Sequence, residues 1–365
     1  MIYAFVRIVE DGIVWKKFAL KILLVVSTFI FSNSTCDKST EPKDENQELQ
    51  QGEIYVDIYD ADQACDGTTL FADLHDMQNP RIIEVDMEGN IIWEYVIPDN
   101  IKQHHSPGMD VEYLANTDHL LFVLPGYGVQ EIDRDGNVVW SHLDEKISHD
   151  ADRLPNGNTL YVYGDFDTKN DPCVKEVNAA GQVIWSWYAR DDYNIAPYDT
   201  ISFQGWIHTN AVTRMPNGNT LLSFRNFNLT VEINTLDEVV WSADWGNSYP
   251  GYSGVFYPHE PEFHPADNHL LICLQNDAPN QIVELDRTSV LPVWEYQRDG
   301  LRTSRDADRL PNGNTLILGV LTPAQESVIF EVTPAGEIVW QLKVYDTPVG
   351  NQPGWFYKAE RICEQ

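Results

Sequence analysis

The chain is short of positive charge. Its 365 residues carry 24 Lys and Arg against 56 Asp and Glu, a formal net charge of −32. Nucleic-acid binding needs basic stripes that neutralise phosphates, so that class of partner is excluded. Helical periodicity is missing after residue 50, which leaves strands and turns. There is no Gly-rich phosphate loop and no serine elbow, so neither a P-loop nucleotide site nor that type of serine hydrolase is expected. Cysteine is scarce, at five residues, and the one apolar run of note is Ile22–Phe31.

That run follows Lys16, Lys17 and Lys21 and precedes small polar residues and Cys36. This is the grammar of a signal peptide over residues 1–36, too short for a comfortable membrane span. Cys36 is a candidate lipid acceptor and hence a candidate membrane tether, although Asn33 stands where an aliphatic residue is usual. Residues 37–63 read as a polar tether and lead-in. The expected location is exported, in the periplasm or at the cell surface.

What recurs is a phrase. Leu-Pro-Asn-Gly-Asn-Thr-Leu stands at Leu154–Leu160 and Leu310–Leu316, and a variant occupies Met215–Leu221. Weaker copies lie at Asp66–Leu70, Asn116–Leu120 and Pro265–Leu270. After each come an apolar run, a Glu in an apolar setting and a Trp, at Trp93, Trp140, Trp185, Trp241, Trp294 and Trp340. Repeats of this length mean stacking of one supersecondary unit. In Ser148–Trp185, alternating or β-branched segments are joined by Asn/Gly turns, the pattern of a four-stranded antiparallel meander. Six such units predict an all-β fold, a six-bladed β-propeller of four-stranded blades over residues 64–365. The closing Trp suits packing between blades.

The first unit starts at its turn and lacks a first strand, while Tyr357–Ile362 resembles that strand. The C-terminal strand is therefore expected to complete the N-terminal blade and close the ring. Cys65 and Cys363 would then be close, as a disulfide or as two buried thiols. Cys173 and Cys273 lie in different blades and are expected to be unpaired.

Four residues before the Arg of the Arg-Leu-Pro turn, or its aligned position, stand Met109, His149, Asn210, His259, Arg305 and Tyr357. This column should face the central channel from the innermost strand of each blade. His208, two before Asn210, is expected on the same strand face, and Arg225 follows on the next strand. A lone strand histidine is more often a packed or solvated residue. Three that converge from three repeats, with Asn210, Arg225 and Arg305, make an anion pocket. Guanidinium forks onto sulfate, phosphate or carboxylate oxygens, and neutral imidazole serves as nucleophile or base. His75, His119, His142, His264 and His269 fall at turns or strand ends and are expected at the surface, while His104 and His105 are rim candidates.

At these residues the chain resembles the arylsulfotransferase family, bacterial aryl-sulfate sulfotransferases that need no nucleotide sulfate donor. The carriers are His149–Asn158, Trp206–Asn210, Phe224–Asn226 and Pro258–Pro261. The resemblance implies a six-bladed propeller that moves a sulfuryl group from a phenolic sulfate ester to a phenol. It implies His259 as the transiently sulfated nucleophile. His208, Asn210 and Arg225 would hold sulfate oxygens, with Asn226 beside Arg225 in substrate binding, and His149 would serve the phenol oxygen. Arg305 has no counterpart and is expected to bind anion on geometry alone. Larger members carry an N-terminal β-domain involved in dimerisation; only residues 37–63 precede the propeller here, which argues for a monomer. No cofactor and no metal is expected. Two other readings compete. Three histidines on one ring can hold a divalent cation for hydrolysis, although Asp150 points to the other strand face. Or the propeller is a non-catalytic binding or assembly module.

Overall fold

The structure is a computed structural model and describes residues 50, 52–105, 108–246, 255–275, 281–322, 326–345, 348–349, 352–353 and 356–364. The expected signal peptide and Cys36 lie outside these residues.

β-branched segments and Asn/Asp-Gly turns pair as six antiparallel blades. Blade one holds Ala359–Cys363, Gly67–Asp73, Arg81–Val85 and Ile91–Val96. Blade two holds Val111–Leu114, His119–Leu124, Gly128–Ile132 and Val138–Leu143. Blade three holds Ala151–Arg153, Thr159–Val162, Val174–Val177 and Val183–Trp187. Blade four holds Thr209–Arg214, Thr220–Phe224, Leu229–Ile233 and Val239–Asp244. Blade five holds Pro258–His264, His269–Leu274, Gln281–Asp286 and Leu291–Gln297. Blade six holds Leu301–Arg309, Thr315–Leu321, Glu326–Val332 and Ile338–Val344.

The ring closes as the repeat pattern predicts. The C-terminal strand pairs with blade one from Gly67↔Cys363 to Phe71↔Ala359. Cys65 and Cys363 form a disulfide with Cα atoms 5.9 Å apart, a cross-link worth about 2–4 kcal/mol. Cys173 and Cys273 are free and buried. The described part of the lead-in contains a strand. Ile54–Tyr59 pairs with Ile338–Val344 as a fifth, outermost strand of blade six. It covers an edge that the other blades leave open: Val339 is 2% exposed, while Ile92, Val139 and Ile184 are about half exposed.

The apolar core is distributed. Six clusters of buried residues each straddle two neighbouring blades. The recurring Glu and Trp seal these seams together. In blade three, Asn158 Nδ2 donates to Glu176 Oε1 at 2.6 Å, and Arg214 of blade four donates to Oε2 at 2.8 Å. The Arg214 guanidinium lies 5.1 Å from the Trp185 ring. Arg153 with Glu131 and Trp140, Arg309 with Glu284 and Trp294, and Arg361 with Glu331 and Trp340 repeat the arrangement. Where the aligned position holds Tyr113 or Phe263, Arg134 and Arg287 reach in from an outer turn and engage Glu84 with Trp93 and Glu232 with Trp241. Each seam thus keeps an ion pair and a cation–π contact.

Candidate functional site

Two chambers lie along the innermost strands. The one near the strand starts is a cavity of about 260 Å³, lined by His149, His208, His259, Arg225, Arg305 and Tyr357. The His149 ring is 4.8 Å from His208 and 5.5 Å from Tyr357. The Arg225 guanidinium stands 4.3 Å over Tyr257 and 5.3 Å from Phe203, and Arg305 is 5.5 Å from Tyr357. Five of the residues chosen from the sequence therefore meet around one hollow.

Backbone irregularity aims them. His149 (φ 71°), His208 (φ 55°), Tyr257 (φ 49°) and Glu260 (φ 43°) are left-handed, at a cost of about 1–3 kcal/mol each. Strand register breaks between Thr209 and Ala211, between His259 and Glu262, and between Arg302 and Asp306. Such bulges re-aim side chains.

The first bulge overturns one expectation. Asn210 does not share the face of His208; it is 1% exposed, and its Nδ2 donates to the Pro258 carbonyl at 3.2 Å, beside His259. Met109 belongs to the apolar seam of blades one and two. Asn226 does not line the cavity either. It accepts from Arg225 Nη1 at 3.1 Å and donates to the Phe203 carbonyl at 2.7 Å, so it positions the arginine. His104 packs against Tyr127 in a different cavity, with Asp144 and Glu145.

Hydrogen-bond accounting assigns the imidazole protons. His259 Nδ1 lies 2.7 Å from the Tyr257 carbonyl and His208 Nδ1 3.1 Å from the Gln204 carbonyl. Carbonyls only accept, so each Nδ1 is protonated and each Nε2 carries a lone pair. His149 is reversed. Ser148 Oγ accepts from the Gly164 and Asp165 amides at 2.9 and 3.0 Å. Its one proton is left for His149 Nδ1 at 2.8 Å, which puts the His149 proton on Nε2.

Burial, with the Arg305 charge next, holds His259 well below the usual histidine range. Burial and Arg225 hold His208 at about 4. Burial and the neighbouring His208 lower His149 strongly. Desolvation also pulls Arg305 to about 10, which still leaves it a cation at neutral pH. The cavity thus combines two guanidinium cations with three neutral imidazoles.

The second chamber, about 330 Å³, lies toward the turn ends of the same strands and is acidic. One step along from the column, Asp110, Asp150 and Glu260 surround Lys358 Nζ at 3.4, 2.6 and 3.0 Å. Two steps further stand Glu112, Asp152, Glu262, Asp308 and Glu360. Several clasp the next blade: Glu112 accepts the Arg153 amide, Glu262 the Arg309 amide and Glu360 the Tyr113 amide.

Sequence reasoning passed over Asp165, Gln204, Phe203 and Tyr257. All lie in connections between strands, where no repeat register points to a position. Asp165 Oδ1 is 3.6 Å from His208 Nδ1, and Phe166 and Phe203 are exposed aromatic rings, 73% and 57% accessible.

The family model for arylsulfotransferase (ASST) matches residues 39–253, which end before His259. No curated protein matches the chain. Among solved structures, a protein of unknown function from Bacteroides caccae is similar at 18% identity and a TM-score of 0.57, over 80% of this chain and 98% of that one. A streptogramin B lyase is similar at 12% identity and a TM-score of 0.47, over 84% and 87%. BamB from Moraxella catarrhalis is similar at 12% identity and a TM-score of 0.44, over 82% and 92%. At 18% identity the likeness to the Bacteroides caccae protein is one of fold.

Proposed function

The chain belongs to the arylsulfotransferase (ASST) family, and we propose on that premise that it transfers a sulfuryl group from a phenolic sulfate ester to a phenol through a sulfated His259. The observation that carries the reading is the opposed protonation of the histidines. His259 presents a bare Nε2, and His149 presents an N–H to the same cavity.

The His259 lone pair attacks sulfur as the S–O bond to the phenol breaks, and the bonding pair leaves on the phenolate oxygen. The Nε2–H of His149 supports that developing charge. Arg225 and Arg305 hold the sulfuryl oxygens; His208, neutral and with a bare Nε2, has no N–H to offer them. An acceptor phenol then takes the group from nitrogen, so the sum is ArOSO₃⁻ + Ar′OH → ArOH + Ar′OSO₃⁻. A covalent intermediate divides one difficult step into two. Asn210 acts by positioning, through Pro258. Phe166 and Phe203 supply exposed aromatic surface for an aryl group.

We place the protein on the export side of a membrane. The Cys65–Cys363 disulfide supports an oxidising compartment.

The test is release of free phenol from nitrophenyl and methylumbelliferyl sulfates, with and without acceptor phenol. His259→Ala is expected to abolish it, and release that continues in that variant removes His259 from the mechanism. One observation favours a second reading: donor atoms of His149, Asp165 and His208 lie within 4.8 Å of one another, a spacing compatible with a metal-dependent hydrolase. Under that reading a chelator stops turnover; under sulfuryl transfer it does not.

A further inference from the structure

We infer that the first turn of blade five is a site for a borderline divalent transition ion such as Zn²⁺, held by His264, His269, Glu284 and Asp267. His264 and His269 were expected at the surface, yet their side chains are only 15% and 20% exposed. They are cross-strand partners at the base of the hairpin, and both Nδ1 atoms face one carboxylate oxygen. His269 Nδ1 is 2.9 Å and His264 Nδ1 3.5 Å from Glu284 Oε1. Asp267 Oδ2 lies 3.6 Å from His269 Nδ1. A tetrahedral ion with bonds of about 2.1 Å sets its donors about 3.4 Å apart. Donor atoms of Asp267, His269 and Glu284 already lie within 4.8 Å of one another, and His264 reaches this cluster through Glu284, so an ion would draw the His264 ring inward as the fourth ligand.

The outer partners also fit. Glu262 Oε2 stands 3.1 Å behind Nε2 of His264. A carboxylate there fixes the ring and leaves Nδ1 free to ligate. Arg309 holds the other oxygen of Glu284 at 2.6 Å. Asp267 is 56% exposed and opens the site to solvent.

The repeats supply an internal control. Blade two keeps the same pair, His119 to Glu131 at 2.7 Å, with Arg153 on the second oxygen. It has Leu114 and Thr117 where blade five has His264 and Asp267. Leu154, Met215, Leu310 and Ile362 fill the His264 position in the remaining blades. An apolar residue is therefore sufficient for the fold there, and the seam alone gives no reason for two extra metal-binding side chains.

The experiment is a Co²⁺ titration of the full chain, read by visible absorption, on the wild type, His264→Leu, Asp267→Asn and His208→Ala. Three other blades carry Leu at the first position, so His264→Leu keeps the fold, and a melt without metal checks this. Wild type and His208→Ala are expected to give tetrahedral bands at one equivalent. Affinity falls at least about tenfold in His264→Leu and Asp267→Asn. Zn²⁺ displaces Co²⁺ and raises the melting temperature of the wild type but not of His264→Leu. Equal binding by wild type and both blade-five variants, loss in His208→Ala instead, or no bands in the wild type overturns the proposal.

Discussion

Tyr357 and Lys358 are consecutive in the chain and face different chambers. The Tyr357 ring lies against His149 and Arg305, and Lys358 Nζ lies among Asp150, Glu260 and Asp110. The same alternation runs through His149/Asp150, His259/Glu260 and Arg305/Asp306. One register builds an anion pocket, and the next builds an acidic ring.

The acidic ring makes stability depend on pH. Burial raises Asp110 to about 7, Glu112 to about 8 and Glu360 to about 7. Unfolded carboxyls titrate near about 4, so between those values the folded chain binds more protons. These groups therefore stabilise the fold at about pH 4, and that contribution is lost as pH rises toward about 8. Glu112→Gln keeps an acceptor for the Arg153 amide and removes the charge. Its melting temperature is expected to exceed that of the wild type by roughly 2–4 °C near about pH 8, with no gain near about pH 4.5.

Activity should show no ordinary histidine limb. His208 titrates at about 4, and His149 and His259 are lowered strongly by burial. A nucleophile held well below the ordinary histidine range stays neutral across that range, so kcat/KM for an aryl sulfate is expected to be flat through about pH 6.5. A limb near about 6.5 would count against the buried assignment.

Gly164 is required by close approach. A Cβ there would stand 2.3 Å from His149 Nδ1 and 2.7 Å from Ser148 Oγ. Gly164→Ala is expected to break the Ser148–His149 bond and lower kcat by about a hundredfold, the scale of a misplaced proton donor. KM should change far less, because Arg225 and Arg305 are untouched. Steady-state kinetics separates the two.

The closing seam carries the ring. The Arg361 and Glu331 side chains are both fully buried, and Arg361 also donates to the Cys65 carbonyl at 2.7 Å. Arg361→Met leaves Glu331 short of its cation and is expected to cost about 3–5 kcal/mol in denaturant unfolding. Arg134→Met, at a seam where the arginine is 23% exposed, should cost less.

The exposed Phe203 ring beside Arg225 gives a substrate test. Phe203→Ala is expected to raise KM for methylumbelliferyl sulfate by about tenfold, equivalent to about 1.4 kcal/mol, with kcat little changed. Unchanged KM would remove Phe203 from aryl binding.

The sequence alone determined the blade count, the closure and the column, because these follow from local rules repeated six times. Asn-Gly turns, period-two alternation and the recurring Trp each act within a few residues, and His149, His259 and Arg305 could be aligned on that period. Only the tertiary structure decided what interrupts the period. The bulge at Asn210 turned that residue into the core, the connections brought Asp165 and Gln204 to the cavity and set Phe203 and Tyr257 against Arg225, and Arg134 and Arg287 filled seams from outside their aligned positions. The histidine protons too were settled by Ser148, Gln204 and Tyr257. Such contacts depend on where the backbone leaves its repeat, and a periodic pattern carries no information about its own exceptions.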